Sequence, residues 1–237
     1  MNDAITKRIS RRNFTTEKIS DEIVKKIKNW IDTINEEAGL TIEFVEDGSS
    51  AFHSLKKSYG IFSNVRSLLV MKGQKNDKNL QEKVGYYGED IVLRMTEIGL
   101  GTCFVGGTYD DSSFTISEHE VLVCVIVVGN IQKSVKDTII RTVVSSKNRK
   151  SIKDRVIADK DLPDFVVWGL EAVKLAPSAL NSQKPTLYYE NDVITMRVPG
   201  DYKFDLVDLG IAKRHFEIGA GKGRFQFGNG ARFILDI

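Results

Sequence analysis

The chain has 237 residues, enough for one large domain or two small ones. Its 41% hydrophobic and 28% charged content fit a globular protein with a substantial core, and a net charge of +2 excludes the broad basic footprint of a nucleic-acid or anionic-membrane binder. Cys103 and Cys124 are too few for a disulfide framework or a zinc site, and they suit a reducing compartment.

The start, Met1-Asn2-Asp3-Ala4, is polar, and the longest strongly apolar run, Val121 to Val128, is too short to span a bilayer. The expected setting is therefore cytoplasmic, with no membrane partner. In chain order, the first helix is predicted from Asp21 to about Asn35. Ser20 is its N-cap, Asp21 and Glu22 suit its positive end, and Ile23, Ile27, Trp30, Ile31 and Ile34 fall on one face. Thr41 to Val45 and Ser67 to Met71 read as short strands. A second helix runs from about Val84 to Ile98, with Tyr87, Ile91, Met95 and Ile98 on one stripe and Gly99 as its stop. Val121 to Val128 is apolar on both faces, as expected of a central strand covered on each side. Pro163-Asp164 then opens a helix that ends before Pro177. Thr186 to Tyr189 and Val193 to Val198 flank Asn191-Asp192 as a hairpin. Another helix covers about Val207 to Ile218, and the chain closes with Phe225 to Phe227, an Asn229-Gly230 turn and a strand from Arg232 to Ile237.

Two segments recur in the same order. Arg8-Ile9-Ser10-Arg11-Arg12 is echoed by Arg149-Lys150-Ser151-Ile152-Lys153, and Glu97-Ile98-Gly99-Leu100-Gly101 by Glu217-Ile218-Gly219-Ala220-Gly221. Duplication accounts for two matches on matching elements better than chance does. The copies are uneven, because Ala176 to Gln183 has no counterpart in the first half, which carries only Asn35 to Leu40 between helix and strand.

Arg8, Ser10 and Arg12 alternate, so an extended chain points all three the same way, as a dianionic phosphate requires. A solvated basic arm is the alternative for such a run. Gly99 is explained as a helix stop, while Gly101, Gly106 and Gly107 allow backbone to approach a flat ligand. The spacing is not the dinucleotide fingerprint, since it follows a helix rather than a strand. Pro177, Ser178, Asn181 and Gln183 read either as an ordinary helix stop and loop or as a polar rim for a ligand. His53, His119 and His215 share no metal-ligand spacing, and His215 is expected at a surface or interface. No side-chain nucleophile signature is present, which points any chemistry to a cofactor.

Taken together, these motifs resemble the nitroreductase family of FMN-dependent oxidoreductases. Arg8-x-Ser10-x-Arg12-x-Phe14 is similar to its phosphate-holding segment, Ala176-Pro177-Ser178-x-x-Asn181-x-Gln183 to its A-P-S-x-x-N-x-Q loop, and Gly99-Leu100-Gly101-Thr102-Cys103-x-x-Gly106-Gly107 to its glycine segment. Phe104 stands where the family usually has Trp, and Lys184-Pro185 departs from its Q-P-W. The A-P-S loop also lies in the second half, similar to a branch whose duplicated chain imitates the usual homodimer. The resemblance implies an α+β fold of two duplicated halves, residues 1–146 and 147–237, each with a central mixed or antiparallel sheet flanked by helices and packed as an intramolecular pseudo-dimer. It implies one FMN per chain, held by Arg8, Ser10, Arg12, Leu100, Gly101, Gly106, Gly107, Pro177, Ser178 and Asn181. The family's basic K-x-R pair after its last strand meets the phosphate, which makes Lys147, Arg149 and Lys150 candidates for that role, with a basic inter-repeat linker as the alternative. The implied activity is hydride transfer from NAD(P)H through the flavin to a nitro, quinone or similar small-molecule acceptor, in a monomer or weak homo-oligomer with no nucleic-acid partner. A non-catalytic flavin-binding or storage protein is the alternative.

Overall fold

The computed structural model describes residues 3–52, 61–131 and 149–236. His53, Lys147 and the expected repeat boundary at 146/147 lie outside the described residues. Contacts divide the chain into two units: Arg8–Leu80 with Ile91–Lys133, here the sheet unit, and Met1–Lys7, Gln81–Asp90 and Ser134–Ile237, here the helical unit.

The sheet unit contains helix α2 (Asp21–Ala38), which follows the short α1 (Asp3–Lys7) of the helical unit, and strands β1 (Glu43–Val45), β2 (Ser67–Gln74), β3 (Leu100–Val105) and β4 (Glu120–Asn130). The four strands form an antiparallel sheet in the order β1-β2-β4-β3. The central place of β4 follows from its sequence: Val125, Ile126, Val127 and Val128 are all buried, as a strand with neighbours on both edges and cover on both faces demands. Helix α2 buries Val24, Ile27, Ile31 and Ile34 and continues past the predicted end at Asn35. Asn35 instead clamps Ile42 through both ends of its carboxamide, and Gly39, at φ 66, ends the helix in the left-handed conformation. Ser20 occupies the N-cap but makes no side-chain capping bond. The segment after Gly99, which the sequence reading left without an element, is β3. It pairs Gly101 with Gly129 and Phe104 with Ile126.

Helix α3 (Leu80–Glu97) starts four residues earlier than its apolar stripe predicts and contributes residues to both units. The rest of the helical unit comprises β5 (Val156–Ala158), α4 (Asp164–Val173), β6 (Thr186–Glu190), β7 (Val193–Arg197), α5 (Asp205–Ala220), β8 (Arg224–Phe225) and β9 (Phe233–Ile234). Its three-stranded sheet is mixed, with β5 parallel and β7 antiparallel to β6. The predicted hairpin is present, and Asn191 (φ 50) and Asp192 (φ 63) take the two positive values that match a tight turn to strand twist. Of the expected closing strand from Arg232 to Ile237, the structure shows β9 paired with the two residues of β8 and Arg232 bridged to Thr195, while Ile237 lies outside the described residues. Phe216, Phe225 and Phe233 stack edge-on over Leu170, Leu187, Met196 and Leu209 to make the core. No helix among the described residues is long and apolar enough to cross a membrane.

The most confined element is α5. A Cβ on Gly85 would lie 2.0 Å from the Val207 carbonyl oxygen, and one on Gly210 would lie 2.0 Å from that of Glu82. The first half of α3 and α5 therefore meet backbone to backbone, which only glycine permits. Acids on α3 face bases on α5. Lys213 is fully buried, and its ammonium gives its donors to Glu82, to the Gln226 carbonyl (3.0 Å) and to the Gly228 carbonyl (2.9 Å). Glu82 also accepts the Gly228 amide at 2.7 Å. Arg214 donates to Asp90 at 3.0 Å, and the Tyr86 hydroxyl donates to Glu217. His215, expected at a surface or interface, is wholly buried: Nδ1 donates to the Ala172 carbonyl at 3.0 Å and Nε2 bonds Glu89 at 2.8 Å. The helix is covered on several sides, so its sequence carries polar groups where a single-faced helix would carry apolar ones.

Removing Lys213 alone strands Glu82 in the interior. Lys213→Met is expected to cost about 3–5 kcal/mol in urea unfolding, and Lys213→Met with Glu82→Leu to recover most of that loss. A single variant within about 1 kcal/mol of the parent would show that the pair does not constrain the fold.

Candidate functional site

In the sheet unit, Ser10 forms a parallel bridge with Thr102, and the Arg11 amide donates to the Thr102 carbonyl at 2.8 Å. The basic segment is thus an extended strip laid on the edge of β3. Phe14 fixes its far end: the ring is buried and packs where a Cβ on Gly129 would lie, 2.9 Å from its Cδ1. Alternation along this strip puts Arg8, Ser10 and Arg12 in register with one another, Arg8 buried and Ser10 and Arg12 exposed, in the neighbourhood of the buried Cys103 thiol. Burial pushes that thiol up, while the charge of Arg12, a hydrogen bond with Ser10 and the charge of Arg8 pull it back. Two guanidinium groups and a hydroxyl thus belong to one short strip, a combination of groups suited to a phosphate.

The glycine segment divides. Leu100 is a core side chain. The space beside Gly101 is taken by protein, since a Cβ there would meet Ile131 Cγ2 at 2.3 Å and Arg11 Cγ at 2.9 Å. Glycine at 101 therefore lets Arg11 lie across the strand. Gly106 is half-buried at the bend after β3, and Gly107 is exposed with nothing within 4 Å of a Cβ.

In the helical unit, the loop after α4 is held from several directions. Arg149 donates to the Ala176 carbonyl at 2.6 Å, and the Lys150 amide donates to the Gln183 side-chain oxygen at 3.0 Å. Arg155 donates to the same oxygen. Burial, with the charge of Arg149 adding to it, pushes the Arg155 guanidinium down to about 10. Ser178 Oγ accepts the Gln183 amide at 3.0 Å, and Gln183 returns donors to Asn181. Arg155, Pro177, Ser178, Gln183 and Asp208 line a cavity of about 10 Å³, the size of one water. Pro177 and Ser178 are half-buried, and Asn181 is exposed at φ 54.

Each unit therefore carries one cluster of the expected residues: Arg8, Ser10, Arg12, Leu100 and Gly101 along β3 and its edge strip, and Pro177, Ser178 and Asn181 on the loop after α4, with Arg149 and Lys150, which precede β5, bonded to that loop. The sequence reading passed over Arg155 and Asp208. Arg155 looked like one more cation of a basic stretch, and Asp208 like an ordinary acid in the first turns of a helix. Burial distinguishes them, and burial has no local sequence signal.

A family model described as "Putative TM nitroreductase" matches residues 1–220. The chain belongs to this nitroreductase family. Its fold is that of a nitroreductase: a Thermotoga maritima MSB8 structure described as a "putative nitroreductase" shares 22% identity at a TM-score of 0.65, over 99% of this chain and 93% of that one. An FMN-dependent nitroreductase of Clostridium difficile R20291 shares 18% identity over 55% of this chain and 87% of that one, at a TM-score of 0.46. A nitroreductase with bound FMN from Desulfitobacterium hafniense DCB-2 shares 17% identity over 56% and 92%, at 0.45. No curated protein matches the chain.

In this family member the Gln183 side-chain oxygen serves the buried Arg155 cation. Gln183→Leu is expected to cost about 1.5–3 kcal/mol in thermal or urea unfolding, the value of a hydrogen bond to a charged group. Stability unchanged within about 0.5 kcal/mol would mean that Arg155 satisfies itself elsewhere.

Proposed function

We propose that this nitroreductase-family chain binds one FMN and acts as an NAD(P)H-dependent oxidoreductase on a nitro, quinone or similar small-molecule acceptor. The observation that carries the reading is the basic strip itself, laid along β3 by the Ser10–Thr102 bridge and the Arg11–Thr102 backbone bond, with Arg8, Ser10 and Arg12 alternating along it. Two permanent cations and a hydroxyl match the charge and acceptor oxygens of the FMN phosphate, so the donor set fits the group. Arg8 is largely buried, and desolvation strengthens its pull on an anion. When bound, FMN supplies hydride-transfer chemistry that no side chain of this protein offers.

The residues then divide by role. Arg8, Ser10 and Arg12 are the phosphate-holding groups, and Lys147, Arg149 and Lys150 are basic groups assigned to the cofactor by the family resemblance alone. Leu100 and Gly101 shape the strand beside the basic strip, and Gly106 and Gly107 leave backbone accessible where a side chain would crowd a flat ring. Pro177, Ser178 and Asn181 provide a rigid polar rim. No dedicated acid or base is assigned. The duplication of residues 1–146 by 147–237 belongs to the same proposal: a second basic segment without its own complement of parts leaves one FMN per chain. The chain works as a cytoplasmic monomer or weak homo-oligomer.

The protein reconstituted with FMN is expected to absorb near ~450 nm, with one flavin per chain, and to bleach anaerobically on addition of NADH or NADPH. A yellow protein that neither nucleotide reduces would instead be a flavin carrier, and a colourless one would overturn the cofactor assignment. Arg12→Ala is expected to weaken FMN binding by about 1.5–3 kcal/mol, roughly tenfold to a hundredfold in Kd by fluorescence titration. Unchanged affinity removes Arg12 from the site.

A further inference from the structure

The turn from Pro177 to Gln183 takes the left-handed conformation at Leu180 (φ 53), Asn181 (φ 54) and Gln183 (φ 52), with no glycine among its residues. Asn181 tolerates that region, but Leu180 and Gln183 rarely adopt it, and such residues stay there where surrounding contacts over-determine them. Packing does not hold Leu180, whose side chain is 88% exposed. What grips the turn from its middle is Asp208 of α5, a residue outside every motif of the sequence. Its buried carboxylate accepts the Ala179 amide at 2.9 and 3.1 Å and the Ser182 hydroxyl at 3.3 Å. These two donors stand on either side of Leu180 and Asn181, so one carboxylate ties down both ends of the strained pair.

The sequence supplies an independent observation. With Glu217-Ile218-Gly219-Ala220-Gly221 aligned on Glu97-Ile98-Gly99-Leu100-Gly101, Gly88 falls opposite Asp208. The half that contains the Ala176-Pro177-Ser178 loop has the carboxylate, and the half without the loop has glycine in its place. Helix geometry alone asks for neither.

We infer that Asp208 is a positioning residue that holds the Pro177–Gln183 turn in the shape presenting Ser178 and Asn181 to FMN. This rests on the cofactor reading above. Burial pushes the Asp208 carboxyl up to about 6, against the bonds from Ala179 and Ser182. The charged groups around it are Asp205 on the same helix, which adds to the rise, Lys184 beyond the turn, which opposes it, and Arg155 across the small cavity. The signs then separate two roles. A carboxyl raised from 3.8 makes the folded chain more stable as pH falls through 6, because the folded state takes up the proton first. The protonated acid is the weaker acceptor, so the turn loosens over the same range.

The test is amide hydrogen exchange of the full chain without added FMN, followed by FMN titration. Asp208→Ala is expected to speed exchange across residues 178–183 at least about tenfold while leaving α4 and the second half of α5 unchanged, with Asp208→Asn intermediate. Ser182→Ala, which leaves α5 intact, is expected to move the same residues less. FMN affinity follows the same order. In the parent it falls about tenfold from pH 7.5 to pH 5 beyond the fall seen in Asp208→Asn, whose remaining dependence reports the phosphate's own second proton near ~6. Exchange in the turn unchanged by Asp208→Ala overturns the inference. Faster exchange in a chain that takes up no FMN in any variant overturns the cofactor reading and leaves the anchoring of the turn supported.

Discussion

Lys213 is the point at which the helical unit is fastened. Its ammonium sits without solvent between one carboxylate and two backbone carbonyls, so the first half of α3, helix α5 and the loop at 226–228 are each tied to the same charge. A buried ion pair adds little stability over a well-packed apolar pair, because desolvation offsets most of the attraction. Its effect here is one of selection. Acids stand on α3 (Glu82, Glu89, Asp90) and bases on α5 (Lys213, Arg214, His215), so a shifted register leaves unpaired charge in the interior. Gly85 and Gly210 add a steric condition, since the two backbones touch where any Cβ would collide.

From that fixed helix the loop cluster follows. Asp208 lies on the same α5 whose later turns carry Lys213 and His215, so the backbone from which the carboxylate grips the turn is fixed by the same helix. The turn, built from residues that do not favour their own backbone conformation, depends on side-chain acceptors supplied by its surroundings. The basic strip in the sheet unit is made the opposite way. Its shape comes from ordinary extended pairing with β3 and a buried Phe14, and its alternation does the rest. One cluster is local geometry made useful, and the other is unfavourable local geometry held by tertiary contacts.

The sequence disclosed the first kind well. The unbroken apolar run of β4, the Asn191-Asp192 hairpin, the amphipathic face of α2 and the alternation of Arg8, Ser10 and Arg12 are all consequences of period and turn chemistry. It disclosed the second kind poorly. Strand β3 is rich in glycine and small residues, so its pattern resembles a loop until β4 supplies the pairing partner. The meaning of Gly101 also changed, from room for a ligand to room for the Arg11 side chain.

By itself the sequence determined where the chain is extended or helical and which residues share a side, because those properties depend on neighbours a few positions away. It also carried the three motifs on which the family resemblance rests. Tertiary structure decided which polar groups are buried. His215, Lys213 and Asp208 look like surface residues of an ordinary helix, and each has its role only because α3, α4 or the Pro177 loop covers it. A carboxylate or imidazole announces its chemistry in the sequence, but the loss of water that makes it an anchor comes from residues up to half the chain away.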